Sequence, residues 1–178
     1  MEEAIINGIN YRLNEENRTA EVIYKKSYKG EIEIPDTIWR DGVFYRVTSI
    51  GESAFEGCEL TKITIPESIT TIGKNAFWSC ISLSSVIIPD SVTSIGEYAF
   101  NECCKLISIT IGNSVKSIGK QAFRWCHALT SIVVAEGNTV YDSRENCNAI
   151  IEKATNTLIR GCKNTIIPNS VTSIGEAA

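Results

Sequence analysis

A period of about 23 residues runs through this chain and constrains its fold more than any other feature. Ser-Ile-Gly or Thr-Ile-Gly recurs at Ser49-Ile50-Gly51, Thr71-Ile72-Gly73, Ser94-Ile95-Gly96, Ser117-Ile118-Gly119 and Ser173-Ile174-Gly175. Ala-Phe follows the first four glycines, as Ala54-Phe55, Ala76-Phe77, Ala99-Phe100 and Ala122-Phe123. A cysteine stands three residues after each phenylalanine (Cys58, Cys80, Cys103 and Cys126), and Leu60, Leu83, Leu106 and Leu129 come next. Alternating pairs complete each copy: Ile63/Ile65, Val86/Ile88, Ile109/Ile111 and Ile132/Val134. One such unit cannot bury its own apolar face. Stacked neighbours can, so the chain is read as a repeat solenoid.

Each position has a physical reading. Leu-x-x-Ile-x-Ile is a short strand with alternate side chains turned inward. Pro66, Pro89 and Pro168 close it, because proline has no N–H to give a ladder. Pairs such as Asp90-Ser91 and Asn113-Ser114 make the bend. A second extended segment, such as Val92–Ile95, runs back on the other side. The glycine after it is expected at positive φ, where a side chain costs energy. Glu-Tyr-Ala-Phe and its equivalents suit one helical or 3₁₀ turn that drops the phenylalanine into the core. The fold class is therefore strand-rich, with short helical or 3₁₀ turns.

Four cysteines on the repeat invite a metal or disulfide reading. Thiols one rung apart point in parallel rather than at one another, which is poor disulfide geometry. Zinc needs clustered pairs such as Cys-x-x-Cys, which are missing. Buried packing is the reading that remains, since free cysteine is among the most buried residue types.

Two regions depart from the period. Residues 1–46 hold hairpin patterning, Ile9–Leu13 and Ala20–Tyr24 about a polar Asn14–Arg18 turn. This is read as an N-terminal β-hairpin cap, followed by a first irregular repeat with Glu31–Pro35 as its strand and a Gly42-centred hairpin. Regular repeats fill 47–134. Residues 135–163 form an enlarged repeat, with Ala149-Ile150-Ile151 and Leu158-Ile159-Arg160 flanking a Lys153–Asn156 turn, expected to protrude from the stack. A partial last repeat occupies 164–178. It stops at Ala178, where phenylalanine is due, so further repeats are expected beyond it. The last rung should then expose Val171 and Ile174, or hide them by end-to-end self-association with another copy.

Composition excludes several functions. Among 178 residues the net charge is −4 and no basic run occurs, so the footprint for nucleic acid is missing. No stretch of about 18 apolar residues exists to insert in a membrane. Met1-Glu-Glu-Ala-Ile-Ile is acidic and too short to be a secretory signal. His127 is the single histidine, and beside it Cys126 belongs to the buried ladder. A nucleophile pair there is rejected, because adjacent side chains point apart. Glu52, Glu97 and Glu176 sit at exposed variable slots. The chain is read as non-catalytic, with no cofactor and no metal site.

The pattern Ile-Pro-x-Ser-Val-Thr-Ser-Ile-Gly-x-x-Ala-Phe-x-x-Cys-x-x-Leu, almost complete from Ile88 to Leu106, resembles the leucine-rich repeats of the BspA-like, or treponemal, class. The resemblance covers about residue 31 to the end. Departures are minor: Leu60 comes one residue early, and Gly112 and Ala135 stand where proline is usual. It implies a leucine-rich-repeat solenoid in an extracellular or cell-surface protein that adheres to host matrix or cell-surface proteins, or to glycans. It brings no catalytic residue. A structural spacer with no ligand of its own is the alternative.

Two surfaces are candidates for binding. Outward strand positions include Ile87, Thr110 and Val133, on a mostly small, uncharged face. The turns carry Trp78, Tyr98, Arg124 and Trp125, residue types that anchor interfaces. Trp78 and Trp125 are two repeats apart, roughly 10 Å if rungs are spaced like paired strands, and could share one patch with Tyr98. Finally, Cys147 and Cys162 are equidistant from the centre of the Lys153–Asn156 turn. A regular hairpin would set them opposite each other, within reach of a disulfide in an oxidising exterior.

Overall fold

In a computed structural model describing residues 2–25, 28–176 and 178, each repeat contributes two short parallel strands to neighbouring rungs. Val43–Ile50, Thr71–Ile72, Ser94–Ile95 and Ser117–Ile118 pair side by side, Ser94 facing Thr71 and Ser117. On another face Ser85–Ile87, Ser108–Ile111 and Ser131–Val134 pair in parallel, with Lys29–Glu33 and Glu59–Thr64 continuing the series toward the N-terminus. Registers repeat because the period repeats: Ile109 faces Val86 and Ile132, so every inward side chain stacks on its equivalent.

The connecting segment is a run of overlapping turns, not the helical turn expected. Among the described residues the one helical piece is the 3₁₀ turn Arg144–Asn146, far from these segments. Ser53, Asn75, Tyr98 and Gln121, two residues after the glycine, adopt φ of 55° to 57°. Counting from the glycine, the N–H groups at positions three, five and seven donate to the next rung's carbonyls at positions two, four and six. Between two middle rungs these bonds are Tyr98 to Lys120 (3.1 Å), Phe100 to Ala122 (2.7 Å) and Glu102 to Arg124 (2.9 Å). A helix would spend the same groups on itself. The turns leave them aligned along the stack, where a rung can join its neighbour.

The motif glycines also have a different reason from the one expected. Positive φ is found at Gly8, Gly30, Gly42 and Gly57, not at Gly73, Gly96 or Gly119. A Cβ on Gly96 would lie 2.5 Å from the Gly73 carbonyl carbon and the Lys74 nitrogen. Backbone approaches backbone here, and only hydrogen fits between.

Inside, Phe55, Phe77, Phe100 and Phe123 form a stacked column with centroids 5.1, 4.8 and 5.5 Å apart. Tyr28 begins it, 4.9 Å from Phe55. The cysteine beside each ring uses its thiol: Cys80 donates to the Phe55 carbonyl (3.0 Å), Cys103 to Phe77 (3.3 Å) and Cys126 to Phe100 (3.2 Å). Burial pushes the Cys80 and Cys126 thiols up to about 12 and Cys103 well above the ordinary value. Cys104 is exposed instead. Iodoacetamide at pH 8 should therefore label Cys104 first and Cys162 more slowly, leaving the ladder thiols for the unfolded chain. Peptide mass mapping reads this directly. Prompt labelling of Cys103 would contradict the column.

At the N-terminus Glu2–Ile6, Ile9–Asn14 and Thr19–Val22 form an antiparallel meander, and its last strand runs parallel to Val43–Ile50. The cap thus covers the first rung by extending its sheet.

The enlarged repeat does not protrude as expected. Ile150–Glu152 and Thr157–Arg160 do pair as a hairpin, but Ile150 is buried in the main core, and Thr157–Arg160 takes the place of a rung strand beside Ser173–Ile174. The Gly175 N–H donates to the Leu158 carbonyl at 2.8 Å, as Gly119 does to Ile95. Buried Asn138 secures the segment, donating to the Gly112 and Val115 carbonyls and accepting from the Val140 and Tyr141 N–H groups.

The equidistance of Cys147 and Cys162 is broken by a register shift between Ile150 and Ile151, which places Arg160 rather than Ile159 opposite Ile150. Both thiols are free. Cys147 packs with Ala149, Ile151 and Leu158, whereas Cys162 packs on the main core and donates to the Asn148 carbonyl. On the last rung Ile174 is 58% exposed, while Val171 is half-buried against the Cys147 cluster.

Candidate functional site

The outward strand positions form one line. Ile87 faces Thr110, and Thr110 faces Val133, in adjacent strands. Ile87 is 69% exposed and Val133 48%, with Thr110 half-buried between them. Toward the N-terminus the face becomes charged and self-paired, through Lys29–Glu59 at 3.1 Å and Lys62–Glu31 at 3.7 Å. The apolar line can rest against a partner, but it offers no directional group.

The turn edge is more specific. Trp78 and Tyr98 come together with Lys74, Asn75 and Asn101 around a cleft of about 200 Å³. Its lining residues include a buried donor and a buried acceptor, Trp78 Nε1 and Asn101 Oδ1, neither with a hydrogen-bond partner among the described residues. Buried polar groups are ordinarily satisfied, and leaving one unmade costs about 1–3 kcal/mol. Two such atoms lie in side chains that line one cleft, whose two aromatic rings offer a ligand apolar contact and which a small side-chain shift would open to hydrogen bonding.

Trp125 does not share this cleft. Its position in the turn is that of Ser79 and Glu102, whereas Trp78 corresponds to Asn101 and Arg124. The Arg124 guanidinium lies 4.4 Å from the Trp125 ring, and both line a larger cleft of about 720 Å³ toward the C-terminal end. Sequence reasoning located the aromatics but not this cleft. The signal for it was the missing Ala-Phe in residues 135–163. Another surface also escaped it: Trp39 faces Phe44 across the Thr37–Arg40/Val43–Ile50 hairpin, both exposed.

Cys126 and His127 lie in different surroundings. The thiol is buried and bonded to the Phe100 carbonyl, while His127 is exposed on the rim of the larger cleft. No helix among the described residues is long and apolar enough to cross a membrane.

Comparison with known proteins agrees with this architecture. Residues 48–178 match the BspA type leucine rich repeat region in six copies. A leucine-rich repeat protein from Bacteroides capillosus is 32% identical, with a TM-score of 0.68 over 76% of this chain and 99% of that one. The Treponema pallidum leucine rich repeat protein is 23% identical, with a TM-score of 0.61 over 98% and 82% of the two chains. A leucine rich cell surface protein of Faecalibacterium prausnitzii is 23% identical, with a TM-score of 0.54 over 90% of this chain and 61% of that one. The curated proteins contain no significant match. From the repeat, its stacking and these likenesses together, the chain belongs to the BspA-type leucine-rich repeat proteins.

Proposed function

We propose that this chain is a non-catalytic binding module of a bacterial cell surface, which anchors host proteins or glycans on the turn edge of its solenoid. The observation that carries the reading is the Trp78–Tyr98 cleft, where Trp78 Nε1 and Asn101 Oδ1 stand buried and without a partner among the described residues. Once Trp78 and Asn101 shift enough to uncover them, a peptide amide or a sugar hydroxyl satisfies both atoms while its apolar side covers the rings. The Ile87–Thr110–Val133 line supplies a second, less directional contact surface. The cell-surface setting is supported by the Faecalibacterium relative, described as a cell surface protein, and by the similar fold of a pneumococcal vaccine antigen.

The test is capture of the soluble chain on an array of host matrix proteins and glycans. At least one class should retain it, and Trp78→Ala should weaken that capture tenfold or more while circular dichroism shows the fold retained. Ile87→Asp, on the strand line, should change it less than threefold. If Ile87→Asp has the larger effect, the ligand lies on the strand face. If nothing on the array is retained, the chain is a spacer and the proposal fails.

A further inference from the structure

On the turn edge the stack skips a rung. From Gly96 to the inward Ile109 is 13 residues, and from Gly119 to Ile132 is again 13. In the enlarged repeat, Ile159 takes the glycine's place, because its neighbour Leu158 accepts the Gly175 N–H. Thr165-Ile166-Ile167-Pro168 then matches Val86-Ile87-Ile88-Pro89, so from Ile159 to the equivalent strand residue, Thr165, is only 6. Seven residues are missing, those that elsewhere make the turn with Ala-Phe and Cys. The strand of that rung is present and its turn is not. The result is the cleft of about 720 Å³. One wall is the Gly119 turn, the floor is Leu158 to Thr165, and the far wall bears Ile174 and Glu176.

The wall facing this slot keeps the hydrogen-bonding edge of a rung. In the preceding turn, Tyr98, Phe100 and Glu102 donate to carbonyls of the Gly119 turn. The equivalent N–H groups of Gln121, Phe123 and Trp125 have no acceptor among the described residues. Three donors at alternate positions are what each turn of this stack gives its neighbour, and an unpaired row of them is an edge on which another segment can dock. The slot also supplies apolar and charged lining. Ile167 and Ile174, both more than half exposed, form an apolar patch. Arg124, Arg160 and Lys163 line it, as does the carboxylate of Glu176.

We infer that this slot takes an acidic peptide segment of a partner protein, which docks in the conformation of the missing turn of the stack. Its alternate carbonyls accept from Gln121, Phe123 and Trp125. An apolar side chain between them rests on Ile167 and Ile174, and a carboxylate faces Arg124 and Lys163. The ligand chemistry is the stack's own: the Gly96–Cys103 turn that lies on the neighbouring rung carries Glu97 and Glu102 about an Ala-Phe pair. This inference is independent of the Trp78 cleft, which is lined by different residues.

The test uses a fluorescent synthetic peptide, Gly-Glu-Tyr-Ala-Phe-Asn-Glu-Ser, and a copy with both glutamates changed to lysine, titrated onto the full chain. The acidic peptide should bind at least tenfold more tightly than the basic one. Arg124→Glu together with Lys163→Glu should lower its affinity at least tenfold, at surface sites that leave the column intact. Amide exchange by NMR should slow tenfold or more at Gln121, Phe123 and Trp125 on binding. Amide protection elsewhere, equal affinity for the two peptides, or no binding at millimolar peptide would each overturn the inference. So would concentration-dependent dimers that protect the same amides without peptide, since the slot would then hold a second copy.

Discussion

Replacing Phe100 by alanine should cost about 3–5 kcal/mol, among the largest effects available to one substitution in this chain. The ring is fully buried and stacks on both sides, 4.8 Å from Phe77 and 5.5 Å from Phe123. Its loss opens a void in the middle of a one-dimensional stack, where neither neighbour can close it without breaking rung-to-rung hydrogen bonds. For a chain of this length that corresponds to a fall in Tm of roughly 6–20 °C. Thermal and urea unfolding would measure it, with Ile87→Asp as a surface control expected within about 0.5 kcal/mol. A Phe100→Ala chain as stable as the parent would show that the column contributes little beyond filling space.

The second large effect is alkaline. Cys80 and Cys126 are held near 12 and Cys103 well above its usual value by burial, against about 9 in the unfolded chain. A folded thiol with a raised value keeps its proton when the unfolded one releases it. Its stabilisation is therefore complete below pH 9 and is lost as the pH climbs through the folded values. Cys80 and Cys126 each change stability by about 1.4 kcal/mol per pH unit between about pH 10 and 12, roughly 3 kcal/mol per unit together, and Cys103 acts in the same direction. A typical domain stability of about 5–15 kcal/mol is exhausted within a few units. Urea midpoints between pH 8 and 11.5 should fall steeply. In Cys80→Ala, Cys103→Ala, Cys126→Ala the start is lower but the slope much shallower. Tyr11, Tyr28 and Tyr141, also raised by burial, add their own loss above pH 10 in both chains. Equal slopes would mean the thiols ionise without unfolding the stack.

Much of this molecule was legible in its residues, for a physical reason. A period repeated in four copies makes every position an average over several rungs, so Leu60, Ile63 and Phe55 could be assigned inward before any coordinate was known. All three are buried. The alternation that marks strands, the N-terminal hairpin and the packed cysteines are local or periodic properties, and the sequence alone determined them. What it could not show depends on contacts between rungs. The glycines Gly73, Gly96 and Gly119 answer to backbone lying within 3 Å in the preceding repeat, not to their own φ. The turns are not helical because their N–H groups bond along the stack. Trp78 and Tyr98 meet, and Trp125 leaves them, because places in the turn decide which cleft a ring enters. One register shift between Ile150 and Ile151 removes the symmetry that would set Cys147 opposite Cys162. The skipped turn becomes a slot only because Thr157–Arg160 is accepted as a rung strand. Such outcomes are set by hydrogen bonds and packing between segments roughly 20 or more residues apart, energies that no local pattern encodes.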